Sequence, residues 1–351
     1  MKLFGKNTTG KGVLFLSNKT KAMFVCNNKN NINRVYSEEL KKILFENYDF
    51  EKEIINKNNI CQYIDIAKEA EYIFSTWGME KFTVQEIKTY FPNVRCVFYA
   101  AGSVQHFAKE FLDCGIRVFS AWKANAIPVA EYTYSQIILA SKGFYQSSKK
   151  AKLNFYGMAK YSDKCGGNYN AKIGIIGVGS IGKLVAQKLN QNDVEVYYYD
   201  PYLPKEEADR LNIKSESLEN IFSKCDVITN HLANKKELNN ILNAELFNKM
   251  KPYATFINTG RGMQVDEKAL VKAMKKVKTR TAVLDVTKHE PLNPFGSIAR
   301  CRNIIVTPHI AGSNGREVER MAQYMVEEAK RVANGQTPLY EVTQKMLTTM
   351  A

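Results

Sequence analysis

Three residues late in the chain, Arg261, Glu290 and His309, are of types that can together move a proton beside a carboxylate. An imidazole titrating near neutrality gives or takes a proton in either direction. A carboxylate next to it stabilises the imidazolium and holds the ring. An arginine offers a rigid fork for a substrate carboxylate and polarises the carbonyl adjacent to it. The set suits a 2-hydroxy or 2-keto acid, provided something supplies or accepts a hydride. Each residue also has a plainer reading. Arg261, between Gly260 and Gly262, would serve a turn; Glu290 would be a surface acid before Pro291; His309 would be a buried ring satisfied by backbone.

The hydride partner is suggested upstream. In "KIGIIGVGSIGKLVAQKLN" an apolar strand, Ile173 to Ile176, runs into Gly177, Gly179, Ser180, Ile181 and Gly182 and then a helix. Such glycines permit a tight turn, close approach of backbone to a pyrophosphate and close helix packing, and the helix N-terminus favours phosphate charge. The next strand, "VEVYYYD", ends at Asp200, 18 residues past Gly182, where an acid can accept ribose hydroxyls and repel a 2′-phosphate. NAD(H) is therefore expected in preference to NADP(H). The plainer reading is a glycine turn in a structural α/β unit.

Stepping along the chain, further apolar runs precede each candidate. "CDVITN" is followed by His231, "YATFIN" by Thr259 to Gly262, "RTAVLD" by Asp285 and then Glu290, and "NIIVT" by Pro308 and His309. In a doubly wound sheet the carboxyl ends of the strands face one crevice. Six strand ends then deliver Gly177, Asp200, His231, Arg261, Glu290 and His309 to one edge. His231 is left open between a cofactor-edge role and packing, and His106, in "SVQHFAKEF", is read as a structural helix residue.

His289 and Glu290 are neighbours in sequence, but Pro291 biases Glu290 toward extended backbone, where successive side chains point to opposite sides. The partner expected for Glu290 is His309, with His289 a bystander.

Alternating short apolar runs and amphipathic stretches from Ala22 to Thr307 predict α/β architecture with parallel sheets. Strands are expected near Ala22 to Cys26, Tyr72 to Ser75, Arg95 to Tyr99 and Arg117 to Ser120. A helix is expected over Ile127 to Tyr145, then a polar arm over 146–170 that serves as a connection or an oligomer contact. The last amphipathic stretch stops at Asn334-Gly335, a helix C-cap pattern, and could cross back to the first unit.

The 351 residues suit two domains. The seven scattered cysteines, without CxxC, suggest neither a disulfide framework nor a zinc site. No run is long enough to span a membrane, and "GVLFLS", Gly12 to Ser17, is too short for a signal segment, so a cytoplasmic protein is expected. The net charge of +15 comes mainly from lysines interleaved with asparagine, and no nucleic-acid motif accompanies it.

With these residues in hand, the chain resembles the D-isomer-specific 2-hydroxyacid dehydrogenases. The likeness rests on "VAEYT", "IGIIGVGSIGK", "YYDPY", "FNKMKPYATFINTGRGMQVDEKAL", "LDVTKHEPL" and "TPHIAG", in that order. The resemblance implies a Rossmann-type NAD-binding domain, 125–317, and a flavodoxin-like, discontinuous substrate domain, 1–124 with 318–351, usually in a homodimer. It assigns Arg261 to the substrate carboxylate, Glu290 to supporting the histidine and His309 to acid/base catalysis. It puts Asn125, Val129, Ser180, Ile181, Asp200, Thr259, Gly260, Asp285 and Gly312 along the NAD, and has Ala101 and Gly102 present backbone to substrate. Two departures stand out: Ala233 where a proline is common after His231-Leu232, and Trp122-Lys123 where Pro-Gly is common. Trp77 and Trp122 are hypothesised to line the cleft and Lys123 to meet a second anionic group, against a reading as interdomain packing with a solvated lysine. Co-repressors called C-terminal binding proteins look similar and retain these residues, so an NAD(H)-sensing regulator is the alternative.

Overall fold

A computed structural model of the chain describes residues 19–347, so the "GVLFLS" segment lies outside the described residues. Two sheets carry the architecture. The first contains β1 (Lys21–Val25), β2 (Asp49–Ile55), β3 (Tyr72–Ser75), β4 (Cys96–Tyr99) and β5 (Arg117–Ser120). The second contains β6 (Ala171–Ile176), β7 (Val194–Tyr199), β8 (Lys214–Ser215), β9 (Val227–Asn230), β10 (Thr255–Asn258), β11 (Thr281–Leu284) and β12 (Ile304–Val306). A short β13 (Glu341–Val342) returns to the first sheet.

The first sheet has the order β13-β5-β4-β3-β1-β2, parallel except for the antiparallel β13 on β5. The second has the order β12-β11-β10-β9-β6-β7-β8, with every pairing parallel. Both are doubly wound α/β sheets, Rossmann-type in the second and flavodoxin-like in the first. Strands β3, β4, β9, β10 and β11 are buried at every position. Strands covered on both faces by helices read as continuous apolar runs, which is why the sequence showed them. Strand β2 alternates poorly and is mostly uncovered at the sheet edge, and the apolar pattern missed it.

The helix Trp122–Ser141 starts before and stops ahead of the expected Ile127 to Tyr145. Its end is set by Gly143, at φ +64°, where an added Cβ would lie 2.7 Å from Cys165 Sγ. The polar arm is not irregular: it folds into helices Phe144–Lys150 and Phe155–Ser162. The helix Glu317–Ala333 is capped at Asn334 with Gly335 at φ +65°. Its apolar stripe, Val318, Met321, Ala322, Met325, Val326 and Ala329, enters the core of the first sheet. Each of its valines and methionines contributes roughly 1.5–3 kcal/mol when fully buried. The chain therefore leaves the first sheet, builds the second and returns.

Candidate functional site

A cavity of about 1300 Å³ opens where strand ends of the two sheets meet. From the second sheet it is lined by the turn after β6, the end of β7 and the loops after β9, β10, β11 and β12; from the first, by Trp77, Gly102 and Ser103.

The glycine turn after β6 is built by close approach. Gly177 has φ +86°, and an added Cβ would sit 2.8 Å from the His231 carbonyl carbon. At Gly182 a Cβ would meet the Gly177 carbonyl oxygen at 2.2 Å. Gly179 is the opposite case: nothing lies within 4 Å of its missing Cβ. It caps the ten-residue helix Ser180–Leu189, whose first amides have no side-chain cap, and it borders the cavity. Open space at a glycine facing uncapped helix amides fits a pyrophosphate. Beside the glycine turn Asp200 accepts Val178 N through Oδ2 (2.8 Å) and Tyr202 N through Oδ1 (2.9 Å), which fixes the carboxylate at the end of β7.

His231 is buried between two hydroxyls, Thr229 Oγ1 at 3.0 Å from Nε2 and Thr259 Oγ1 at 3.2 Å from Nδ1. Burial pushes its pKa down to about 3. The ring is neutral and packed, and it also borders the cavity. Thr259 Oγ1 also meets Thr133 Oγ1 at 3.1 Å, which ties this wall to the helix Trp122–Ser141. On the same helix Asn125 accepts Ser313 N at 2.9 Å, and a Cβ on Gly312 would press to 3.2 Å from Asn125 Oδ1.

The three residues singled out for chemistry arrive from three strands. Arg261 follows β10; burial lowers the pKa of its guanidinium, and the charge of Glu290 opposes that shift. Its Nη1 donates to Gly260 O (2.9 Å), while its backbone N–H donates to Gln264 Oε1 (3.1 Å). The buried Gln264 also accepts Asn230 Nδ2 and donates to Leu232 O and Ala233 O, so one amide braces the loops after β9 and β10. Its only sequence cue was its place three residues past Arg261.

His309 and Glu290 meet at 2.8 Å, Nδ1 to Oε2. The chain bends over residues 288–291, and Glu290 Oε1 folds back to accept Thr287 N at 3.2 Å. The His289 ring is exposed. His309 itself has φ +54°, a left-handed backbone held from below by Asp285. That carboxylate, 2% exposed, accepts Thr307 Oγ1 and Ile310 N on Oδ1 and Ala311 N on Oδ2, and the Asp285 carbonyl accepts His309 N. Tyr132 Oη and Thr307 Oγ1 lie 2.8 Å apart, which extends the network to the long helix. The sequence offered Asp285 as a residue along the cofactor; the structure shows it lining the cavity with both carboxylate oxygens committed to the His309 loop.

A family model for the NAD-binding domain of D-isomer specific 2-hydroxyacid dehydrogenases matches residues 134–311, just over half of the chain. The chain belongs to this family. It is 31% identical over 222 residues to a D-3-phosphoglycerate dehydrogenase of Archaeoglobus fulgidus, a match that covers 63% of this chain and 42% of that one. The chain thus spans less than half the length of that relative. It is 29% identical to a glyoxylate reductase of Thermofilum pendens, covering 73% and 77% of the two chains. A phosphoglycerate oxidoreductase from Rhizobium etli shares the fold with a TM-score of 0.76 at 21% identity, covering 93% and 99%.

The remaining expected contacts of this 2-hydroxyacid dehydrogenase family member divide. Gly177, Gly179, Ser180, Ile181, Val129, Asn125, Thr259 and Gly312 border the cavity, as do Trp77, Trp122 and Gly102. Gly182 and Gly260 sit behind its wall and serve packing: a Cβ on Gly260 would meet Asn230 Nδ2 at 2.7 Å. Ala101 is fully buried, and its carbonyl accepts Ser120 Oγ (2.9 Å) and Ala121 N (3.0 Å), so it is turned into the fold and not toward the cavity. Lys123 is exposed and outside the lining, its ammonium lying 5.9 Å from the Trp122 ring centroid and 5.5 Å from that of Tyr340. Sitting on the second residue of its helix, beside Trp122, it is drawn to the aromatic pair and away from the cleft. Arg34, Asn314 and Met346 line the cavity and carried no cue in the motifs. His106 lies just ahead of the helix Ala108–Asp113, its Nε2 3.0 Å from Met79 O.

Proposed function

We propose that the protein is an NAD(H)-dependent oxidoreductase that interconverts a 2-keto acid and a D-2-hydroxy acid. The observation that carries this reading is the 2.8 Å contact of His309 with Glu290 at the rim of a cavity that also holds Arg261 and the open glycine turn. The bound nicotinamide would supply or accept the hydride. Arg261 holds the substrate carboxylate by its guanidinium fork and polarises the adjacent carbonyl. His309 gives its Nε2 proton to the carbonyl oxygen in reduction and takes it back in oxidation, while Glu290 at Nδ1 stabilises the imidazolium. Asp200 favours NAD(H) over NADP(H), because a second negative charge beside a fixed carboxylate is repelled.

The substrate domain, on this reading, is 1–124 with 318–351, and the NAD-binding domain is 125–317. The pairing of β13 with β5 and the packing of Glu317–Ala333 support that division. The exposed Leu153, Phe155, Tyr156 and Tyr169 on and beside the arm helices favour a homodimer through that arm. No helix among the described residues is long and apolar enough to cross a membrane.

The test is NADH oxidation with a panel of 2-keto acids, from glyoxylate and hydroxypyruvate to longer acids. Turnover of at least one is expected. Binding of NADH with turnover of none would favour a regulatory protein instead.

A further inference from the structure

The substrate end of the cavity contains a cation that neither the motifs nor the proposed chemistry uses. Arg34 lies on the short helix Lys29–Val35, which follows β1, and its guanidinium carbon is 5.6 Å from the Trp77 ring centroid. Its Nη2 donates to Asn314 Oδ1 at 3.2 Å. Asn314 belongs to the loop that carries His309, the loop pinned by Asp285, so Arg34 stands at the His309 end of the cavity and away from Asp200. Trp77 follows β3, and β1 and β3 are the neighbours at which the order of the first sheet reverses; a doubly wound sheet binds ligands at that place.

An arginine has five N–H donors in one plane. One is used on Asn314, and no carboxylate lies within ion-pair distance of Arg34 among the described residues. The nearby Glu317 is engaged by Asn314 N at 2.9 Å. The Trp77 ring attracts the guanidinium without neutralising it. Trp77 and Asn314 lie beside it, and the cavity wall contributed by the first sheet's side is mixed, with Trp77, Trp122 and Met346 apolar and Ser103 polar. Such a wall accommodates a substrate side chain with a short apolar stem ending in an acceptor. Arg261 is already assigned to the C1 carboxylate, so Arg34 is left for a second group.

We propose that Arg34 is a specificity residue that binds a distal anion on the substrate, and that the preferred substrates are 2-keto acids with a terminal carboxylate, phosphate or sulfonate. The proposal rests on the dehydrogenase reading given above. The contact with Trp77 and the bond to Asn314 keep the guanidinium at this end of the cavity, and the bond to Asn314 couples occupancy of the distal site to the loop that carries His309.

The experiment compares wild type, Arg34→Gln and Arg34→Lys on 2-oxoglutarate, 3-phosphooxypyruvate and 3-sulfopyruvate against the uncharged-tail 2-oxohexanoate. The readout is NADH oxidation, and the three anionic arms distinguish the source of the charge. Wild type is expected to prefer at least one anionic acid. Arg34→Gln should cut the ratio of its kcat/KM to that of 2-oxohexanoate by about tenfold or more, mostly through KM, which is the loss of one charge-assisted contact. Arg34→Lys should recover part of it. A ratio unchanged by Arg34→Gln, or a wild-type preference for the uncharged tail, overturns the proposal while leaving the dehydrogenase reading intact. A second readout separates the two claims: titration of the NADH complex with the same acids, followed by the fluorescence of the chain's two tryptophans, Trp77 and Trp122. Anion binding that depends on Arg34 without any turnover would sustain the site and defeat the dehydrogenase reading. Binding that does not depend on Arg34 would defeat the site.

Discussion

Glu290 and His309, 19 residues apart, meet at 2.8 Å because each follows a strand of one parallel sheet and each is held by a loop with its own anchor. Glu290 is folded back onto Thr287 N, and His309 is lifted into left-handed backbone over the buried Asp285. The pair is exposed to the cavity rim, where a proton can be exchanged, while its supports are buried. Glu290→Gln keeps the shape and removes the charge that stabilises an imidazolium. The expected outcome is a fall in kcat of roughly 10- to 100-fold, with the Kd for NADH unchanged, measured by NADH oxidation and by NADH fluorescence. An undiminished kcat would remove Glu290 from the account.

Asp285 is expected to act through His309. Asp285→Asn leaves one of three bound donors, Thr307 Oγ1, Ile310 N or Ala311 N, facing an NH2 group in a buried site. Stability should fall by about 1–3 kcal/mol, visible in the denaturant midpoint, and kcat should fall with it while KM for the keto acid changes less. A loss confined to KM would instead make Asp285 a substrate contact.

Asp200 is held by Val178 N and Tyr202 N, so its charge sits at a fixed place beside the glycine turn of the cavity. Asp200→Asn should lower the preference for NADH over NADPH in kcat/KM by about tenfold or more. An unchanged ratio would move cofactor choice to another residue.

His231 makes stability pH-dependent in a direction that follows from its burial. Its pKa is about 3 in the folded chain and near the ordinary 6.5 when unfolded, so the unfolded state takes the proton first. The stabilising contribution is complete above pH 6.5 and is lost as pH falls toward 3. At pH 5 the loss is about 2 kcal/mol relative to pH 8. Equilibrium denaturation at the two pH values should show a smaller difference in His231→Gln than in wild type; equal differences would contradict the assignment.

Most of the second sheet was legible because β6, β9, β10, β11 and β12 are largely apolar runs followed by residues with distinctive side chains, and parallel topology sends those ends to one edge; the polar, exposed β8 showed no such pattern. The Glu290 partner was reachable by that logic, but the bend at 288–291 and the bond from Thr287 N to Glu290 Oε1 were not, because no pattern of residue types announces them. The first sheet was less legible. Strand β2 lies at its edge and lacks an apolar pattern, and Pro128 lies inside the helix Trp122–Ser141 without ending it. The cavity wall was least legible of all. Lys123 had the right charge on the wrong side of Trp122, whereas Arg34 and Met346 come from opposite ends of the chain and border one cavity because the helix Glu317–Ala333 carries the C-terminal segment back to the first sheet.

The central claim is that His309, and not its sequence neighbour of Glu290, His289, moves the proton. Steady-state NADH oxidation by His309→Ala and His289→Ala, with NADH affinity measured on both, tests it directly. The account predicts that His309→Ala loses about 10²- to 10⁴-fold in kcat with NADH affinity retained, and that His289→Ala keeps most of its activity. An active His309→Ala enzyme, or an inactive but folded His289→Ala enzyme, would contradict it.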